Sequence, residues 1–206
     1  AIKAPVLRAK LTPDYPLGCK RILISNEYYE TLARPNVDVV TDNIAEVTPT
    51  GIRTKDGQDH PVDAIIYGTG FQATDFLAPM KITGRGGVDL NQVWRDGAEA
   101  YLGMTVSGFP NLFLLYGPNT NLGHNSIVYM LESQFSYILD AVKTLQQRDL
   151  RFVDARSQVQ GVYNRWVQKQ IKNTIWDAGC TSWYKTASGK NTNNWPGFTL
   201  VYRYKT

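Results

Sequence analysis

Leu112-Phe113-Leu114-Leu115-Tyr116-Gly117-Pro118-Asn119-Thr120-Asn121-Leu122-Gly123 is the stretch that decides the fold class. Its five leading apolar residues predict a buried strand, and Gly117-Pro118-Asn119 predicts a turn at that strand's C-terminal end. Beyond the turn, Ile127, Leu131, Phe135, Ile138, Val142 and Leu145 recur every three or four residues, as the buried face of a long helix requires. Asn125 or Ser126 suits its N-cap. A buried strand, a glycine turn and a helix start in succession predict an α/β fold, with free helix N–H groups facing whatever the turn encloses. Such an end favours an anion or an electron-rich carbonyl oxygen.

A second stretch has the same form. Val62-Asp63-Ala64-Ile65-Ile66-Tyr67 runs into Gly68-Thr69-Gly70-Phe71. Glycines at a strand end let backbone approach a ligand closely, although a pair of ordinary strand-end turns accounts for the same pattern. Upstream, Arg21–Ile24 and Val37–Val40 read as short strands separated by a helix over Tyr28–Ala33. Ile44–Val47, Gly51–Thr54 and Val62–Tyr67 read as a β-meander, turned at Asp56-Gly57. Downstream, Ser157-x-x-Gln160 has capping-box form and predicts a second long helix, with Val159, Tyr163, Trp166 and Ile171 on its buried side. Phe198–Tyr204 reads as a closing strand.

The chain has 206 residues and a net charge of +4. Its basic residues are scattered apart from the Lys20-Arg21 pair, which disfavours nucleic acid and favours a small anionic ligand. No apolar run is long enough to span a bilayer, so a soluble, cytoplasmic protein is expected. Cys19 and Cys180 form no CxxC and no metal-ligand cluster, and both are expected as reduced packing residues. His124 beside a helix start suits a cap or a structural hydrogen bond better than a proton carrier. His60 is expected to be exposed. Lys20-Arg21 is either a solvated surface pair or, with neighbours on a strand pointing opposite ways, two cations with separate targets.

In order, several segments resemble the Baeyer–Villiger type of the flavin-containing monooxygenase superfamily. They are Tyr15-Pro16-Leu17-Gly18-Cys19-Lys20-Arg21, Arg34-Pro35-Asn36-Val37 and Asp63–Phe71 (with Gly68 where the family usually has alanine). Tyr101-Leu102-Gly103, Gly108–Phe113, Gly117-Pro118-Asn119 and Thr181-Ser182-Trp183-Tyr184 follow. Trp195-Pro196-Gly197 fits a sub-branch. The match runs nearly the whole length.

The resemblance implies the C-terminal portion of a flavoprotein with two dinucleotide-binding domains. Residues 1–66 would hold the end of an NADPH-binding domain and return strands. Residues 67–206 would hold the C-terminal part of an FAD-binding domain with a helical, aromatic tail. It further implies Arg21 as the catalytic arginine, stabilising a flavin C4a-peroxide, and Lys20 as the contact to the NADPH 2′-phosphate. Trp183 would touch the nicotinamide cofactor. Gly68, Thr69, Gly70 and Phe71, with Gly117, Pro118, Asn119 and Asn121, would line FAD. The implied reaction inserts one oxygen atom of O2 into a ketone, or oxygenates a sulfide or amine.

No G-x-G-x-x-G fingerprint occurs in the sequence, and Gly84-Arg85-Gly86-Gly87 is not one. Family members carry theirs upstream, together with the aspartate that partners the arginine. The chain alone is therefore expected to be inactive until joined by an N-terminal half. A reading of another class is a non-catalytic interaction module.

Overall fold

The structure is a computed structural model that describes residues 2–179 and 181–206. They fall into two compact units: residues up to Asp14 with Leu23–Phe71, and Tyr15–Ile22 with Gln72–Thr206.

In the first unit, helix α1 (Pro5–Leu11) starts with proline inside its first turn, where the missing N–H costs nothing. Helix α2 (Tyr28–Leu32) occupies the expected place. Strands β1 (Ile44–Thr48), β2 (Gly51–Thr54) and β3 (Asp59–Pro61) form an antiparallel meander. Gly57 makes its second turn at φ +85°, a conformation an L side chain resists. The Arg53 guanidinium ties the strands on one face, donating to Asp59 at 2.8 Å and Glu46 at 2.7 Å.

Five strand expectations fail in part or whole, the fifth being the closing Phe198–Tyr204 segment. The third strand of the meander is Asp59–Pro61 rather than Val62–Tyr67. Arg21–Ile24, Val37–Val40 and Leu112–Tyr116 are extended or turn-like, and none pairs in a sheet among the described residues. A strand is defined by the ladder it shares, and apolar patterning cannot supply the neighbour. Ile24 is 96% and Ile66 95% accessible, whereas Leu114 is buried without a ladder partner among the described residues. His60 is half-buried rather than exposed, with its ring 3.2 Å from the Thr54 hydroxyl.

In the second unit a short helix α3 (Leu90–Val93), N-capped by Asp89, precedes the long helix α4 (Ile127–Gln147). Ser126 caps α4 as expected, accepting the Tyr129 N–H. Its most buried residues are Met130, Ser133 and Gln134, whereas Phe135 and Val142, expected inside, are exposed. The periodicity is correct and the phase is turned by about one residue.

Helix α5 (Ser157–Ile171) begins where expected but has no capping box. Gln160 instead accepts the Ser107 N–H at 2.7 Å, a tertiary use of the side chain. Tyr163, Asn164, Val167 and Ile171 face inward, while Val159 is exposed. The closing segment is helix α6 (Thr199–Lys205), not a strand. Thr199 and Tyr202, three apart, are its buried residues, and Phe198, Leu200 and Tyr204 of the alternate set are exposed.

Two apolar clusters hold this unit together. Leu102, Met104, Leu122, Met130, Tyr163 and Tyr202 belong to one, and Leu90, Trp94, Val106, Phe109 and Leu114 to the other. Gln134 links α4 to its surroundings, accepting the Tyr116 N–H at 3.0 Å and donating to the Tyr202 hydroxyl at 3.0 Å. That hydroxyl donates in turn to the Leu102 carbonyl at 2.5 Å. Cys19 is fully buried and disulfide-bonded, which corrects the expected reduced thiol; Cys180 lies outside the described residues. Among the described residues no helix is long and apolar enough to cross a membrane, and no cluster of His, Cys, Asp and Glu could hold a metal.

Candidate functional site

Seven expected site positions fall in the second unit, Lys20, Arg21, Gly117, Pro118, Asn119, Asn121 and Trp183, and Tyr184 adjoins the last of them. Arg21 is exposed as a residue, yet its Nη1 donates to the Leu122 carbonyl oxygen at 3.2 Å, 101 residues away in sequence. The cation is therefore held at the end of the Gly117–Gly123 loop, five residues before α4 begins. Burial raises the hydroxyl pKa values of Tyr116 and Tyr184, and the Arg21 charge pulls both back down. Arg21 thus sits within electrostatic reach of two phenols. Lys20 is exposed, with its ammonium 4.2 Å from the centre of the Tyr15 ring. The segment is not a strand, and within the chain Lys20 and Arg21 make separate contacts.

The loop is fixed by a network that sequence reading did not find. Asn119, Asn121, Asn191, Asn193 and Asn194 are all buried. The Asn119 amide side chain donates to the carbonyls of Asn191 and Asn194, at 2.9 and 3.1 Å. Asn191 Oδ1 accepts the N–H groups of Asn193 and Asn194, and its Nδ2 donates to Asn194 Oδ1 at 3.1 Å. Backbone bonds run alongside: Asn119 N–H to Thr192, Asn121 N–H to Asn193, and Trp195 N–H back to Asn121. Asn121 also accepts from the Tyr116 hydroxyl at 2.7 Å.

The same tail segment reaches Tyr184, whose carbonyl accepts from the Thr192 backbone and the Asn193 side chain. Trp183, half-exposed, lies against it with ring centres 4.3 Å apart. Loop 117–123 and the Trp183-Tyr184 segment are therefore gripped by one asparagine cluster. The signal available in the sequence was the density of Asn in Asn191–Asn194, which suggests loops before it suggests a buried network.

Gly68, Thr69, Gly70 and Phe71 end the first unit, and all four are exposed, Phe71 to 98%. A Cβ added at Gly68 or Gly70 meets nothing within 4 Å, so the backbone there is open to a ligand or a further segment. His124 is exposed, with its ring edge-on to Phe198 at 6.1 Å. Within the second unit, the exposed cation and the helix start suit an electron-rich or anionic ligand.

A Baeyer–Villiger monooxygenase of Pseudomonas aeruginosa is 50% identical over 204 residues, which is 98% of this chain and 39% of that protein. One of Streptomyces coelicolor is 46% identical over 208 residues, 100% of this chain and 40% of that protein. The chain belongs to the Baeyer–Villiger monooxygenase family. It corresponds to a C-terminal portion, spanning about two-fifths of the curated relatives it matches. The fold agrees: the crystal structure of OTEMO in complex with FAD and NADP superimposes with a TM-score of 0.88 at 31% identity. That match covers 99% of this chain and 39% of OTEMO. No protein-family model matches the chain. The recognised set of short motifs, each weak by itself, thus identified the family, and the mixed helix-and-sheet fold accords with these flavoproteins.

Proposed function

We propose that this chain is the part of a soluble, cytoplasmic FAD- and NADPH-dependent monooxygenase that supplies the catalytic arginine and one wall of the flavin site. Its reaction inserts one oxygen atom of O2 into a ketone. The observation that carries this reading is the placement of Arg21 against the Leu122 carbonyl at the loop leading into α4. Bound FAD and NADPH would supply the electrons and the activation of O2. Arg21 stabilises negative charge developing at the reacting oxygen, its bond to Leu122 leaving further N–H groups for that task. The N-terminus of α4 adds a positive end of the same sign.

Gly117, Pro118, Asn119 and Asn121 line the flavin through backbone whose shape the asparagine cluster holds. Gly68, Thr69, Gly70 and Phe71, open backbone in the first unit, are assigned to FAD binding as well. Lys20 meets the NADPH 2′-phosphate as a point charge, and Trp183 packs on the nicotinamide. In this reading residues 1–66 close an NADPH-binding domain and residues 67–206 close an FAD-binding domain. The exposed Ile22, Leu23, Ile24 and Ile66 are covered by the portion that the relatives carry in addition.

The experiment is reconstitution. The chain is purified with and without the remaining portion of the Pseudomonas aeruginosa relative, and flavin absorbance and NADPH-dependent ester formation from a cyclic ketone are recorded. The expected result is flavin binding and turnover only in the pair. Turnover of sulfides without ketones would favour the oxygenation of soft nucleophiles instead. No flavin under either condition would leave a non-catalytic interaction module.

A further inference from the structure

Tyr15 and Lys20 flank a tight turn, and the turn sets them face to face. The Cys19 N–H donates to the Pro16 carbonyl at 3.1 Å, closing a four-residue turn over residues 16–19. Its second central residue is Gly18 at φ +88°, which glycine adopts without steric cost. The turn is anchored. Cys19 is fully buried, and a Cβ at Gly18 would be in van der Waals contact with Ile175, 3.7 Å away. All of these residues lie in the second unit.

The chain doubles back at this turn, so the residues on either side of it meet. The Lys20 ammonium stands 4.2 Å from the centre of the Tyr15 ring. Tyr15 is half-buried and Lys20 exposed, which makes the ring the fixed partner and the lysine the adjustable one. No carboxylate among the described residues pairs with Lys20. A carboxylate would hold the ammonium and cancel its charge, whereas a ring face holds it and leaves the charge whole. A lysine on an open surface gives up rotamer freedom when it meets a phosphate. One already laid over a ring has given up part of that freedom beforehand.

We propose that Tyr15 is a positioning residue for Lys20: its ring holds the ammonium ready for the 2′-phosphate and so sets how strongly NADPH is preferred over NADH. The proposal rests on the assignment of Lys20 to the 2′-phosphate above. Tyr15 acts only through Lys20, and NADH, which lacks that phosphate, does not use the pair.

The test is made on the chain joined by the remaining portion of the Pseudomonas aeruginosa relative. Kd values for NADP+ and NAD+ are measured by equilibrium dialysis, so no turnover enters the readout. Lys20→Gln should narrow the NADP+ preference by about tenfold or more, the worth of one charge-assisted contact. Tyr15→Leu should narrow it about three- to fivefold, wholly in the NADP+ Kd, as one exposed cation–π contact is worth. Tyr15→Phe keeps the ring face and should keep the preference. Tyr15→Leu added to Lys20→Gln should change nothing further, because the ring then has no cation to hold.

An unchanged preference in Lys20→Gln overturns the assignment of Lys20 and the proposal with it. A narrowed preference in Lys20→Gln with none in Tyr15→Leu overturns the proposal alone. Equal weakening of NAD+ and NADP+ in Tyr15→Leu also overturns it, since the ring would then act on the cofactor or the fold rather than on Lys20. Should Tyr15→Leu fail to fold, Tyr15→Trp decides. Its larger ring face should keep or widen the preference, and a narrowed one overturns the proposal.

Discussion

Arg21 Nη1 lies 3.2 Å from the carbonyl oxygen of Leu122, and this single bond joins the two segments proposed to carry the chemistry. It orients the guanidinium without neutralising it, since a carbonyl accepts a proton contact but brings no countercharge. Arg21→Lys keeps the charge and loses the planar fork. In the isolated chain it should cost about 1 kcal/mol or less in urea unfolding, because one part-buried hydrogen bond to an uncharged carbonyl is at stake. In the reconstituted enzyme, ketone oxygenation should fall by about 100-fold, in the range seen when one transition-state donor is lost. Undiminished turnover would remove Arg21 from the catalytic role.

The Tyr202 hydroxyl is the hinge point between α4, α6 and the Leu102 loop. It accepts from Gln134 and donates to the Leu102 carbonyl while its ring stays fully buried. Tyr202→Phe leaves the ring volume intact and strands two buried polar groups at once. A loss of about 2–4 kcal/mol is expected in urea unfolding, from two groups at about 1–3 kcal/mol each, reduced where the Gln134 amide can turn.

Much of this could be read from residue order, and the failures share a physical cause. The first two strands of the meander and the start of α4 at Ser126 rest on local signals, namely a turn glycine, a cap and a helical period, whereas α5 starts at Ser157 without the capping box that pointed to it. Arg21–Ile24 and Leu112–Tyr116 needed a neighbour to become strands, and the described residues provide none. Phe198–Tyr204 alternates convincingly, yet only the i, i+3 pair Thr199 and Tyr202 is buried, so tertiary contact at Tyr202 overrode the period-two pattern. For the site, the motifs selected Arg21 and the Gly117–Asn121 loop. Nothing local announced that Asn191 and Asn194 would close over that loop from more than 70 residues away.

Gly103 is a tight point of that loop's packing. It sits at φ +69°, and a Cβ there would stand 2.2 Å from Thr120 Cγ2 and 2.8 Å from the Pro118 carbonyl oxygen. Gly103→Ala should therefore destabilise by about 3 kcal/mol or more, from overpacking added to an unfavourable backbone conformation. Thr120→Ser removes the Cγ2 atom alone. Combined with Gly103→Ala it should recover part of the loss and not all, because the Pro118 contact and the positive φ remain. A double-mutant cycle in urea reads the difference.

Stability at neutral pH, rather than the alkaline slope they share, separates the two buried phenols. Burial raises the hydroxyl pKa of both Tyr163 and Tyr202 far above the ordinary value, with neighbouring tyrosines pushing the same way. In the unfolded chain these groups ionise near about pH 10. Above that value the unfolded state releases protons that the native state retains, so stability is full below it and falls as pH rises. Each such tyrosine contributes a slope of about 1.4 kcal/mol per pH unit there. Tyr163→Phe should reduce the slope by one such share. At neutral pH it should leave stability unchanged or raise it by about 1 kcal/mol, because the Tyr163 hydroxyl is buried without a partner among the described residues. Tyr202→Phe should reduce the slope equally while lowering neutral stability, since its hydroxyl is bonded on both sides. Urea titrations of both variants at neutral pH and above pH ~10 decide this. Equal neutral losses in the two variants would mean that Tyr163 also has a bonded hydroxyl.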